Sequence, residues 1–160
     1  MKTLLFGILA VLIVAVPVFA QSQTQQAQMD QDIAMMKKDI QADKSTLITA
    51  NMKFTPEEAA AFWPVYKVYD EALSKVADKR VALIKDYAQN YGGMTNEKAS
   101  ELISALFDTE VQRLQLKKDL FQSLTKVMSA KSAARMIQVE NRLNMLIDLQ
   151  VASGIPLVTK

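Results

Sequence analysis

The residues of this chain that could do chemistry are carboxylates, tyrosines and hydroxyls, because it has no Cys and no His. That absence removes the usual ligands for zinc, copper, haem and iron–sulfur clusters. It also removes the base of a Ser-His-Asp triad and the Glu-x-x-His motifs of di-iron bundles. No metal and no cofactor is expected on these grounds. The adjacent pair Glu57-Glu58 could act as general acid and base, but it falls where a first helical turn begins and capping accounts for it. Glu110 and Glu140 fall beside Arg113 and Arg80 by helical period. They define either a buried polar layer or a set of charges that contacts a client. The preferred reading is plainer: arginine stems lie on the core edge with their heads in water. A Ser-Lys pair, Ser129 with Lys131, is conceivable as nucleophile and base, yet Ser129 is placed to cap a helix. No catalytic residue is assigned, and the chain reads as a non-enzyme.

What remains is binding chemistry. Phe62, Trp63, Tyr66, Tyr69, Tyr87 and Tyr91 sit at helical spacing, as core aromatics do when tyrosine hydroxyls reach the wet edge. The chain has 9 Met, which can fill core gaps or give an adaptable binding surface. Met35-Met36 is the better surface candidate, since adjacent helical residues point in different directions. The candidate client or partner surface is therefore Met35, Met36, Ile40, Trp63 and Arg80.

Few, long helices must position these residues, because 160 residues contain just 4 Gly and 4 Pro. A first helix is expected from about Asp30 to Ala50, with Ile33, Met36, Ile40 and Leu47 on one face. The second has the clearest start: Thr55 as N-cap, Pro56 at the first helical position, and Glu58 completing a capping box. Its apolar stripe runs through Phe62, Tyr66, Tyr69, Leu73, Val76, Leu83 and Tyr87 to Gly92-Gly93, where a helix should end. Pro64 is expected to bend or restart it. A third helix follows the cap Thr95, and a fourth follows Ser129 and closes at Gly154 and Pro156. No alternating pattern supports a sheet. The fold class is all-α, with about four long antiparallel helices in an elongated hairpin or open bundle. Helices of that length must bury their stripes against a second copy or leave an apolar face open.

Residues 1–20 read as an export signal: Lys2, an apolar run from Leu4 to Val16, Pro17, and the small-x-small site Val18-Phe19-Ala20. An uncleaved anchor is the alternative, although the run is at the short end for a span. Residues 21–29 read as a Gln-rich disordered leader and 30–158 as a single helical domain. A periplasmic or secreted protein, cut near Ala20, is expected. Its formal charge of +2 includes Lys2, so nothing draws it to nucleic acid.

Three helix entries repeat an apolar residue, a hydroxyl cap and then helix: Phe54-Thr55-Pro56-Glu57-Glu58, Met94-Thr95-Asn96-Glu97-Lys98 and Met128-Ser129-Ala130-Lys131-Ser132. In a helical chain of this length they resemble the Leu-Thr-x-x-Gln motif of the Spy/CpxP family. Thr55 and Thr95 match it, Ser129 more loosely, while Glu58 and Lys98 stand where that motif has Gln. The resemblance implies a periplasmic, coiled-coil-like homodimer acting as an ATP-independent holdase or envelope-stress adaptor on partly unfolded proteins. The alternative is a non-catalytic structural or adaptor protein of the envelope that self-associates or binds one dedicated partner.

Overall fold

The computed structural model describes residues 44–158. The expected signal, the expected Gln-rich leader and the first fourteen residues expected in helix one lie outside them. Among the described residues the chain is all-α: α1 (44–52), α2 (Pro56–Asn90), α3 (Asn96–Leu124) and α4 (Ala130–Ser153). A 3-10 turn, Tyr91–Gly93, joins α2 to α3. None of these helices is long and apolar enough to cross a membrane.

Each long helix starts where a hydroxyl accepts an orphan backbone N–H. Thr55 accepts from Glu58 N–H at 3.2 Å while the Glu58 carboxylate accepts from Thr55 N–H at 3.0 Å, a closed capping box. Thr95 accepts from Lys98 N–H, and Ser129 from Ser132 N–H, each at 3.1 Å. Such caps stabilise a helix by about 1 kcal/mol each. Lys98 stands where a capping-box glutamate would, and its ammonium reaches instead to Asp86 on α2 at 2.8 Å. The departure from the box thus fastens the start of α3 to the end of α2.

Three backbone details shape these helices, and the first excludes a restart at Pro64. α2 runs unbroken through Pro64, 35 residues or about 52 Å; the ring costs one bond to the carbonyl of Ala60, but the flanking turns carry the helix past it. Gly92 and Gly93 end the helix without entering the left-handed region, because the chain tightens into a 3-10 turn. α3 stops at Leu124 since the N–H groups of Val127 and Met128 both turn back onto the Leu124 carbonyl, at 3.0 and 2.9 Å.

Consecutive helices run antiparallel. On α2 and α3, Lys79 reaches Gln112 and Arg80 reaches Glu110. On α3 and α4, Lys117 donates to Asn141 at 3.1 Å. α1 returns along α2 and α4, with Arg135 donating to the Asn51 carbonyl. The core gathers Ile48, Phe62, Leu120, Leu124, Ala133 and Met136, with Tyr66 and Tyr69 at its edge. Its aromatic spine is continuous: Phe54 lies 4.6 Å from Phe62, which stacks on Tyr66 at 5.3 Å. Burial of such side chains contributes roughly 1.5–3 kcal/mol each.

α1 is closed by the residue after it, Lys53, whose φ of 52° is left-handed and whose N–H closes onto the Thr49 carbonyl at 3.1 Å. A Cβ in that region costs about 1–2 kcal/mol, partly offset by the flexibility glycine adds to the unfolded chain. Lys53→Gly should therefore raise stability by about 0.5–1 kcal/mol in thermal unfolding; a loss would contradict the strain.

Candidate functional site

Two polar centres and one apolar face stand out from this framework. The first centre is Glu140, whose side chain is 0% exposed. A buried carboxylate must be matched by donors, and this one has four. Tyr66 and Tyr69 hydroxyls each donate at 3.0 Å, Asn144 Nδ2 at 3.3 Å and Lys44 Nζ at 3.4 Å. Lys44 also donates to Asp70 at 3.1 Å and lies 5.7 Å from the centre of the Tyr66 ring. Three elements contribute, α1 through Lys44, α2 and α4, because helical spacing puts Tyr66 and Tyr69 on one face of α2, and Glu140 and Asn144 one turn apart on α4. Burial, with the Glu140 charge beside them, pushes both tyrosine hydroxyls far above the ordinary value of 10.0. They are donors and cannot serve as bases.

The second centre lies further along the same helices. Asp148 accepts from Arg80 Nη1 at 2.6 Å and from Arg113 Nη2 at 3.0 Å, and Glu110 accepts from Arg113 at 3.1 Å. Burial raises the Asp148 carboxyl, but the two guanidiniums outweigh it and hold the group below its ordinary value of 3.8. Among the described residues no buried side-chain nitrogen or oxygen lacks a partner. Both centres are saturated, and no group of three or more carboxylates there converges as metal ligands would.

These centres revise one expectation. A buried polar layer exists, so Arg113 and Arg80 are more than stems at the core edge. Glu140, however, pairs with Lys44 rather than with arginine. Glu57 and Glu58 occupy the exposed first turn of α2; a backbone hydrogen bond and Thr55 hold the Glu57 carboxyl below its ordinary range.

The apolar face is on α3. Phe107, Val111 and Leu114 are 63%, 67% and 51% exposed, and Ile103 and Phe121 extend the row at either end. Leu114 and Phe121 continue into an open groove against Ala134 and Ile137 of α4, rimmed by Lys117 and Lys118. On α4, Met145, Leu146 and Leu149 are also exposed. Of the proposed surface residues, Trp63 is half-buried with its ring edge-on to Phe62 at 5.0 Å. Arg80 is tied into the second centre, and Met35, Met36 and Ile40 lie outside the described residues. The caps Thr55, Glu58, Thr95 and Ser129 hold helix ends and are not among the residues lining the groove at Leu114 and Phe121. The α3 row is hidden in the sequence because Leu102, Ile103, Leu106, Phe107 and Leu114 merge into one apolar stripe at helical spacing. The signal that separates them is the 4-3-4-3 spacing of 107, 111, 114, 118 and 121, one position out of register with the buried 102, 109, 113, 120 and 124.

The chain matches no protein-family model, no curated protein and no solved structure.

Removing the Glu140 carboxylate leaves Lys44 and two hydroxyls buried with fewer partners, so Glu140→Ala should cost about 3–5 kcal/mol by denaturant unfolding; a loss below about 1 kcal/mol would contradict the role given to the cluster. The tyrosines set a pH limit. Their stabilisation is present in full below pH 10.0 and is lost as pH rises above it, because the unfolded chain then ionises first. In phenolate absorbance, two of the four tyrosines should ionise only as the fold melts.

Proposed function

We propose that this protein is a non-catalytic, ATP-independent holdase or envelope-stress adaptor that binds partly unfolded chains. The observation that carries this reading is the exposed α3 row, Ile103, Phe107, Val111, Leu114 and Phe121. A row of large apolar side chains facing water is costly unless it is used for contact. Both polar centres support the same view, since their donors and acceptors are spent on one another. Lys117 and Lys118 beside Leu114 and Phe121 add long stems and positive heads, which suit apolar segments with acidic flanks. The Spy/CpxP-like cap pattern and the export-like first twenty residues are consistent with work in the periplasm.

A second reading rests on the spacing itself. Val111 and Lys118 fall at one heptad position, and Phe107, Leu114 and Phe121 at the other, as in a coiled-coil seam whose single polar residue sets register. That favours self-association as a homodimer, with the same row covered by a second copy.

The purified chain should suppress aggregation of a chemically unfolded client at near-stoichiometric ratio without ATP, read by light scattering. Val111→Asp should reduce that suppression about tenfold while shifting stability by less than about 0.5 kcal/mol. Unchanged scattering at several-fold excess of the native chain ends the holdase reading. Sedimentation separates the second: a dimer that Val111→Asp dissociates, with no suppression by the native chain, supports the structural role.

A further inference from the structure

The far end of the helices, beyond the second polar centre, holds a cavity of about 430 Å³ between α2, α3 and α4. Its walls are Leu83 and Ile84 from α2, Leu102 and Leu106 from α3, and Val151 from α4, with Arg80 and Asp148 at its floor. This volume is at the small end of the range for ligand sites, and the apolar lining with a few polar groups is typical of them. The remaining wall is the chain itself. After Gly154 the backbone leaves the helix, and residues 155–158, Ile-Pro-Leu-Val, pass along the opening.

We infer that this cavity is a subsite for short, extended, apolar peptide segments, and that residues 155–158, which wall its opening, act as a competing stand-in for such a segment at the Tyr87 hydroxyl. The inference rests on the chain-binding reading and specifies its substrate class. Three observations carry it.

The first is how the tail is held. Tyr87 donates its hydroxyl to the Pro156 carbonyl at 2.8 Å. A bond to a backbone carbonyl reads extended peptide without regard to sequence. Ile155 is half-buried against the cavity, whereas Leu157 is 88% exposed, so the tail seats loosely and leaves the cavity open beside it.

The second is the floor. Arg80 and Arg113 are matched by Asp148 and Glu110, two cations to two anions. No unmatched cation is left there to hold an anionic headgroup, which disfavours a fatty acid and suits an uncharged peptide backbone with apolar side chains.

The third is continuity. Ile103 lines the cavity and is also the first residue of the exposed α3 row. A client segment lying on that row can therefore run into the cavity without crossing a polar boundary.

The test uses the full-length protein and a fluorescein-labelled peptide of sequence Ser-Gly-Ile-Pro-Leu-Val, followed by polarisation. Ile155→Ser/Val158→Ser in the full chain weakens the internal competitor and should tighten peptide binding about tenfold, as expected when a competing occupied state is depopulated. Ile103→Asp, at a half-exposed position, should weaken binding about tenfold or more. Val68→Asp, exposed on α2 and outside the cavity, should leave it unchanged. Equal affinity for the native chain and the tail variant overturns the stand-in role. Peptide binding indifferent to Ile103→Asp, or no peptide binding beside saturable binding of myristate, overturns the subsite. Aggregation suppression is measured on the same preparations. Suppression that survives a failed peptide result leaves the holdase reading standing and removes this inference; loss of both removes both.

Discussion

The carboxylate of Glu140 is the point on which the helices converge. A negative charge with no exposure to water is sustained only by donors, and its four come from α1, from two successive turns of α2 and from α4. Three of these donors have a second constraint. Lys44 is shared with Asp70, and the tyrosine rings belong to the aromatic spine that reaches Phe54. Breaking such a cluster is costly, while replacing it wholesale with apolar residues need not be. Its contribution is therefore best described as geometric: it admits one arrangement of α1, α2 and α4, because a slip of one turn would leave the carboxylate without its donors.

That arrangement determines which surfaces are left for function. With α2 and α4 sharing Glu140, and with Arg80 and Arg113 sharing Asp148, α3 is held by its Leu102, Thr109, Arg113, Leu120 and Leu124 side. The opposite side of α3 then faces water, although it carries Phe107, Val111 and Leu114. Polar groups are spent on holding the helices, and apolar groups are left outside. A protein built this way has apolar contact surface to offer.

Much of this was legible in the sequence. Thr55, Thr95 and Ser129 are caps whose chemistry is local, so their reading needs no tertiary information. The α2 stripe is likewise a periodic signal, and its inner members Phe62, Tyr66, Tyr69 and Val76 are buried. The Lys44–Glu140 pair was not legible, because 96 residues separate the two and helical period ties Glu140 to neighbours on its own helix. The α3 row was hidden for a related reason: two overlapping apolar stripes, one buried and one exposed, merge when read as a single list. Lys53 shows the limit of residue propensity, since a lysine rather than a glycine takes the left-handed position. The wall formed by residues 155–158 depends on where the end of α4 meets Tyr87, which no local pattern encodes.

The central claim is that the exposed side of α3 is the contact surface for unfolded chains. The direct measurement places a photo-reactive phenylalanine analogue at position 107 or 111, and at the exposed α2 position 68 as reference. The full-length protein is irradiated with a defined, chemically unfolded client, and the adducts are mapped by mass spectrometry. The account predicts client adducts at 107 and 111 well in excess of those at 68, lost when the client is allowed to fold first. Equal yields at all three positions, or adducts at 107 and 111 that persist with the folded client, would contradict it.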